Sequence, residues 1–220
     1  MSLKEQIEQQ YSKRSEKAHL YVPSDYIRYV QQEWVSNAKE LLAKHVKKVS
    51  DLTVLEIGAG SGANVPLLEQ LGFQQSNISF NELLDDRVNI LKQNFPDNKV
   101  YAGNAIELHF PEQYDVVLQS TVFTSLLNQQ DREKLAAKMW ELLKPGGLLL
   151  WYDFIYNNPS NPDVRKVSPK ELLQLFPLAQ NISMRKITLA PPIGRRVGKM
   201  YKLFNIPVLR SHILAVAKKA

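Results

Sequence analysis

Hydrophobic positions along the chain follow two patterns: short, continuous apolar runs, and longer stretches with three- to four-residue spacing. The stretch 114–119 is nearly continuous in apolar residues, which is typical of a central parallel strand. Apolar residues recur at three- and four-residue steps over 25–47, and this spacing predicts an amphipathic helix that Ser24 is placed to cap. Strands therefore alternate with helices, which predicts an α/β protein.

The two patterns predict elements along nearly the whole chain. The predicted strands are 54–57, 77–82, 99–102, 114–119, 148–153, 181–189 and 211–218. The predicted helices are 1–20, 25–47, 63–71, 84–94, 131–143 and one that begins after Ser168. A basic insert at 191–207 separates the last two strands, and it is long enough to form a lid.

The first predicted strand ends in three glycines at every second position, Gly58, Gly60 and Gly62. Glycine suits a turn whose backbone angles a Cβ forbids, and it lets a ligand approach the main chain. Dinucleotide-binding proteins use GxGxxG at such a turn, whereas this chain has GxGxG. Glu56, two residues before the first glycine, would repel a pyrophosphate and suits a cationic ligand.

The run Glu56-Ile57-Gly58-Ala59-Gly60-Ser61-Gly62 resembles the first motif, E/D-x-G-x-G-x-G, of the class I S-adenosylmethionine-dependent methyltransferases. Leu-Leu-Lys-Pro-Gly-Gly-Leu-Leu-Leu at 142–150 is a further common feature of that family. The resemblance implies S-adenosyl-L-methionine as cofactor and an enzyme of EC class 2.1.1. It also implies a Rossmann-like, doubly wound sheet of seven strands, mostly parallel with an antiparallel last strand, with helices on both faces.

The resemblance assigns cofactor contacts to residues near the strand ends. Glu82 lies 20 residues beyond Gly62 and is expected to bind the ribose hydroxyls, with Leu83 against the adenine. Many family members have Asp where this chain has Asn104, whose amide oxygen is still an acceptor. The expected cofactor-binding residues are Glu56, Gly58, Ala59, Gly60, Gly62, Glu82, Leu83, Asn104, Ala105 and Gln119.

The candidate catalytic residues lie at the end of the fifth predicted strand and in the segment just after it. Asp153 is the first candidate for a general base, with Tyr152 and Tyr156 as orienting groups. An equally weighted alternative is that Asp153 only binds backbone amides at the strand end. Tyr11 and Arg14 are candidates for covering the cofactor, although a helix that only packs on the sheet is at least as well supported. The four histidines have no spacing that indicates a metal site, so no metal is expected.

Composition restricts the remaining possibilities. The chain has 220 residues, no cysteine and a net charge of +6, and no apolar run approaches the length of a membrane span. We therefore expect a cytoplasmic protein with one domain: a helical cap (1–48), a cofactor-binding core (49–190), and a basic insert with the last strand (191–220). No Asp or Glu occurs from Leu172 onward, whereas nine Lys or Arg do.

The prediction for function is methyl transfer to an oxygen or nitrogen of a small molecule or sugar or glycan precursor. Two alternatives remain. One is an RNA or other nucleic-acid methyltransferase that uses the basic C-terminal part. This is disfavoured because Gln119-Ser120-Thr121-Val122 is not the Asn/Asp-Pro-Pro-Tyr motif of base N-methylation. The other is a non-catalytic module that binds the cofactor or a membrane face through 191–210.

Overall fold

A computed structural model describes residues 2–15, 23–158 and 161–220. The helices are α1 (Leu3–Ser15), α2 (Asp25–Leu42), α3 (Val65–Leu71), α4 (Asp85–Asn94), α5 (Gln129–Glu141), α6 (Pro169–Leu175), α7 (Pro191–Val197) and α8 (Tyr201–Phe204). The strands are β1 (Val54–Ile57), β2 (Ile78–Glu82), β3 (Val100–Ala102), β4 (Tyr114–Ser120), β5 (Leu143–Phe154), β6 (Gln180–Leu189) and β7 (Arg210–Lys218). The elements predicted for the described residues are present, with the shifts in their ends given below.

The seven strands form one sheet in the order β3-β2-β1-β4-β5-β7-β6. Strands β1 to β5 are parallel to their neighbours, and β7 runs antiparallel to both β5 and β6. The strand order reverses direction between β1 and β4, which creates a crevice at the carboxyl ends of the central strands. The predicted Rossmann-like sheet with an antiparallel last strand is confirmed.

Two apolar layers cover the faces of the sheet. Successive residues of β5 contribute to opposite layers, as the two-residue period of a strand requires: Leu148 and Leu150 lie in one, Leu149 and Trp151 in the other. Helices α2 and α3 pack on the first face, and α5 and α6 pack on the second. Because both faces are covered, the central strands are largely apolar.

Among the described residues, two predicted element ends differ from the structure by five residues, and the others differ by at most two. Strand β5 begins at Leu143 rather than at 148, because Leu143 already pairs with Tyr114 across a register shift. A Cβ on Gly147 would lie 2.9 Å from the carbonyl oxygen of Lys144, so glycine is needed at this bulge. Helix α2 ends at Leu42 rather than at 47, and the chain then turns so that Val46 packs against the core.

The insert between β6 and β7 is helical and is fixed to α2. The hydroxyl of Tyr201 donates a 2.6 Å hydrogen bond to Glu33 Oε2, and the Asn205 amide donates a 2.7 Å bond to Glu33 Oε1. Gly194 lies against the ring of Tyr26 so closely that a Cβ would stand 2.2 Å from it. None of the helices among the described residues combines the length and apolar character needed to cross a bilayer.

Candidate functional site

A cleft of about 600 Å³, its open mouth included, lies where β1, β2 and β3 end. Its wall is formed by the loops after these strands, with Gly58, Glu82 and Asn104 among the lining residues. Helix α1 lies across the cleft and contributes Leu3, Ile7 and Tyr11. The sheet edge and α1 together therefore form one partly covered site.

The glycine turn at the end of β1 is left-handed at all three glycines, with φ of +65° at Gly58, +61° at Gly60 and +84° at Gly62. A Cβ on Gly58 would lie 2.6 Å from Val122, and one on Gly62 would lie 2.3 Å from the ring of Phe95. Packing as well as backbone conformation thus requires two of these glycines. At Gly60 a Cβ would lie 3.7 Å from a guanidinium nitrogen of Arg87, which is an ordinary van der Waals contact and not a clash.

Glu56 is a buried carboxylate at the end of β1. The side-chain amide of Asn64 donates a 2.6 Å hydrogen bond to its Oε1. Its Oε2 is buried and has no hydrogen-bond partner among the described residues. Desolvation, reinforced by the charge of Glu82, raises the pKa of Glu56 to about 7. A cation placed against Oε2 would relieve this unfavourable burial.

Glu82 holds the backbone of two loops together. Its Oε2 accepts the N–H of Gly60 at 2.7 Å, and its Oε1 accepts the N–H groups of Leu83 and Leu84 at 2.8 and 3.0 Å. Three of roughly four acceptor positions of the carboxylate are therefore in use. The expected ribose contact stays a prediction, and it would use the remaining position.

The other expected cofactor residues divide into two groups. Leu83, Asn104 and Ala105 line the cleft, and Asn104 Oδ1 also accepts the N–H of Ile106 at 3.1 Å. Ala59 and Gln119 support the site from behind: the Ala59 N–H donates to the Asn81 carbonyl. The fully buried Gln119 accepts the Val122 N–H through Oε1 at 3.0 Å.

The three candidate catalytic residues do not line the cleft. Asp153 is fully buried, and its carboxylate accepts the N–H groups of Thr124 and Phe154 at 3.2 and 2.8 Å. Desolvation raises its pKa to about 6. The hydroxyl of Tyr152 shares a buried 2.8 Å hydrogen bond with Thr188 Oγ1, and the exposed Tyr156 accepts a 2.7 Å bond from Lys186. The geometry thus fits the structural alternative for Asp153.

Several residues at the site were not singled out from the sequence. Asn64 orients Glu56, and Asn81 donates 3.0 Å hydrogen bonds to the carbonyls of Tyr101 and Gly103. Gln10 of α1 is buried and donates to the Ser125 carbonyl at 3.2 Å. The usable signal in α1 was the spacing of Leu3, Ile7, Gln10 and Tyr11, which places them on one face of a helix.

Tyr11, which was expected to cover the cofactor, does line the cleft. The guanidinium of Arg87 lies 3.7 Å from the centre of its ring, a cation–π contact between α1 and α4. The other candidate for this cover, the Arg14 side chain, lies outside the described residues. Lys4 and Asp85 form a 2.7 Å ion pair between the same two helices.

A family model described as a methyltransferase domain matches residues 55–151. Among curated relatives, the ubiquinone/menaquinone biosynthesis C-methyltransferase UbiE of Vibrio campbellii is 29% identical over 107 residues, which cover 46% of this chain and 40% of that protein. O-methyltransferase 3 of Dictyostelium discoideum is 28% identical over 161 residues, which cover 69% of this chain and 36% of that protein. The chain thus spans less than half the length of these relatives.

Solved structures share the fold at low sequence identity. A SAM-dependent methyltransferase from Archaeoglobus fulgidus aligns with a TM-score of 0.59 at 16% identity, covering 88% of this chain and 99% of that one. The 1,6-didemethyltoxoflavin-N1-methyltransferase of Burkholderia thailandensis, with bound 1,6-didemethyltoxoflavin and S-adenosylhomocysteine, aligns with a TM-score of 0.60 at 17% identity, covering 84% of this chain and 78% of that one.

The segment matched by the family model includes the glycine turn, Glu82 and most of the cleft wall. Sheet order, turn and matched segment together define a methyltransferase domain. Residues 55–151 match the methyltransferase-domain model, so the predicted resemblance to the class I S-adenosylmethionine-dependent methyltransferases is confirmed for this segment.

Proposed function

We propose that the chain is an enzyme that transfers a methyl group from S-adenosylmethionine to a small organic acceptor. The observation that carries this proposal is the buried Oε2 of Glu56, an acceptor without a partner at the glycine turn. A buried acidic group at this position matches a cofactor that bears an ammonium and a sulfonium. It does not match a pyrophosphate.

The residues that line the cleft, together with the buried Glu56 at the end of β1, fit the cofactor as a set. Glu56 would hold the ammonium, and the open acceptor position of Glu82 would take one ribose hydroxyl. Leu83 and Ala105 give an apolar wall for the adenine, with Asn104 as a polar contact at its edge. Gly58 lines the cleft, and the absence of a side chain there would let a ligand approach the backbone of the turn.

The cofactor supplies a methyl group on a positively charged sulfur, which is already activated toward nucleophiles. The protein therefore needs chiefly to align the two reactants and to exclude water, and alignment alone is worth about 7–11 kcal/mol in favourable cases. Helix α1 serves the second purpose, because Leu3, Ile7 and Tyr11 cover one side of the cleft. No buried general base faces the cleft among the candidates, which favours an acceptor that is nucleophilic without one.

The proposed acceptor is an oxygen or nitrogen of a small molecule or of a sugar or glycan precursor. A cleft of about 600 Å³, open mouth included and partly covered by α1, supports an acceptor of this size. The relatives methylate different atoms: the names given above specify C-, O- and N1-methyltransferases. These relatives therefore support S-adenosylmethionine as the methyl donor, and the class of acceptor is our own proposal.

Titration calorimetry tests the proposal directly. We expect binding of S-adenosylmethionine and S-adenosylhomocysteine at micromolar concentrations and no binding of NAD. The Glu56→Gln variant is the matched probe, because it keeps the shape of the side chain and removes its charge. Binding of NAD alone, or equal affinity of both proteins for S-adenosylmethionine, would contradict the assignment of the site.

A further inference from the structure

The insert between β6 and β7 exposes an unusual concentration of apolar side chains. We define the docking segment as Arg195–Val208. Its exposed apolar residues are Met200 (52% exposed), Leu203 (76%), Phe204 (40%), Ile206 (47%) and Val208 (72%). The other large hydrophobic residues exposed in the described part of the chain are spread over α4, α6 and several loops. Contiguous exposed apolar side chains indicate a binding surface, whereas isolated ones do not.

The same segment is strongly basic. Arg195, Arg196, Lys199 and Lys202 are exposed, and the sequence contains no Asp or Glu from Leu172 onward. None of the ion pairs found among the described residues involves these four side chains. Arg195 lies 5.7 Å from the centre of the Tyr26 ring. The segment therefore presents uncompensated positive charge beside its apolar residues.

The exposed groups belong to a well-anchored element. Tyr201 is buried in the middle of the docking segment and hydrogen-bonds to Glu33, while Asn205 binds the other oxygen of the same carboxylate. Gly194, just before the segment, packs on Tyr26. The apolar side chains are thus held outward by a fixed backbone.

The topology places this surface on the side of the sheet where the cleft opens. Strand β6 runs parallel to the central strands, because both β5 and β6 are antiparallel to β7. The docking segment follows the carboxyl end of β6, and the cleft lies at the carboxyl ends of β1, β2 and β3. Both features therefore lie at the same end of the sheet, the end at which β1 to β6 have their carboxyl termini.

We propose that the docking segment binds the surface of a membrane that contains anionic lipids. Short amphipathic segments bind such interfaces by placing aliphatic and aromatic side chains at the acyl boundary while Lys and Arg contact the headgroups. Both parts are present here, and the complementary charge is negative. A single-stranded nucleic acid would call for several stacking aromatic side chains. Phe204 is the only aromatic among the five exposed apolar residues of the segment.

Vesicle sedimentation of the full chain is the direct test. The probes are neutral phosphatidylcholine vesicles and vesicles in which roughly one-third of the lipid is phosphatidylglycerol. We expect binding to the anionic vesicles that is about tenfold or more stronger than binding to the neutral ones, and that weakens as salt is raised.

Two variants separate the two components of the surface. The charge variant combines Arg196→Glu, Lys199→Glu and Lys202→Glu, and the apolar variant combines Leu203→Ser and Val208→Ser. Each should weaken binding to anionic vesicles by about tenfold or more. The matched controls, Lys134→Glu with Lys170→Glu and the single change Leu178→Ser, alter exposed residues elsewhere and should bind like the unmodified protein.

Binding of S-adenosylmethionine serves as the check that each variant is folded, because none of these residues lies in the cleft. The proposal is overturned if the anionic vesicles are not bound, or if the control variants lose as much binding as the test variants. It is also overturned if a single-stranded RNA oligonucleotide binds more tightly than the vesicles, with dependence on the basic residues and none on Leu203 and Val208.

Discussion

The side-chain amide of Asn64 donates a 2.6 Å hydrogen bond to Oε1 of Glu56, so a residue just after the glycine turn orients a buried carboxylate on β1. The second oxygen has no partner among the described residues. An unpaired buried acceptor costs stability, and such groups are uncommon in folded proteins. The arrangement is therefore one that a bound cation would complete.

The first prediction concerns the charge of Glu56. Glu56→Gln should weaken S-adenosylmethionine binding by about 1.5–3 kcal/mol, the range for hydrogen bonds to a charged group. Calorimetry measures this change, and Glu112→Gln is the control because that carboxylate binds Lys99 at the far side of β3. Asn64→Ala should have a smaller effect in the same direction, since it removes the orientation and keeps the charge.

The second prediction concerns the pH dependence of cofactor binding. Because burial raises the pKa of Glu56 to about 7, the carboxyl is largely protonated at pH 6 in the free protein. A cationic ligand favours the ionised form, so affinity should rise from pH 6 to 8 and binding should release a proton near pH 7. Calorimetry in buffers with different ionisation enthalpies measures that proton. Binding that does not vary with pH would contradict the contact with Glu56.

The third prediction concerns the stability of the protein without ligand. Glu56 has a folded-state pKa above its unfolded value, so the native state binds more protons between about pH 4.5 and 7. Its contribution to the free energy of unfolding should therefore fall as pH rises through that window. The difference between the unmodified protein and Glu56→Gln in urea denaturation isolates this contribution. A difference that does not change with pH would show that the carboxyl titrates normally.

The fourth prediction separates two roles of Glu82. Because its carboxylate accepts the N–H groups of Gly60, Leu83 and Leu84, Glu82→Ala should lower the free energy of unfolding as well as cofactor affinity, each by about 1–3 kcal/mol. Urea denaturation and calorimetry measure the two effects. Loss of affinity at unchanged stability would mean that the carboxylate acts on the ligand alone.

The fifth prediction compares two glycines of the same turn. Gly62→Ala should destabilise the protein by about 2–5 kcal/mol, because the new Cβ meets the Phe95 ring in addition to the strain of a left-handed backbone. Gly60→Ala should cost only the backbone strain, about 1–2 kcal/mol, because its new Cβ would meet the nearest atom at 3.7 Å, an ordinary contact distance. Thermal denaturation compares the stability of the two variants, and an equal loss of stability in both would contradict the packing argument.

The features that could be predicted from the sequence are those encoded locally. The apolar run of β4 predicts a buried strand, and the glycines after β1 predict a left-handed turn, because each pattern reflects the backbone that carries it. Glu82 was placed correctly at the end of β2 for the same reason. Its hydrogen bonds with the N–H groups of Leu83 and Leu84 and with that of Gly60 in the glycine turn depend on how two loops fold together, and they were not predicted.

The features that could not be predicted depend on partners far away in the chain. A strand-end acid such as Asp153 has the same local sequence whether it faces a cleft or binds the amide of Thr124, a residue 29 positions earlier. Helix α1 is polar overall, and its sequence does not show that its apolar face packs near Ser125, more than 100 residues later in the chain. Sequence reasoning therefore predicted the residues of the proposed cofactor site better than those that would bind the methyl acceptor.

The position of β7 has a consequence for how the sheet is assembled during synthesis. Strand β7 follows β6 in the chain but lies between β5 and β6, and among the strands of the described residues it is the only one that pairs with β6. A growing polypeptide that has just completed β6 therefore leaves that strand without hydrogen-bonding neighbours and leaves one edge of β5 open. During this interval, unpaired strand edges are the part of the nascent protein most exposed to aggregation and to chaperones.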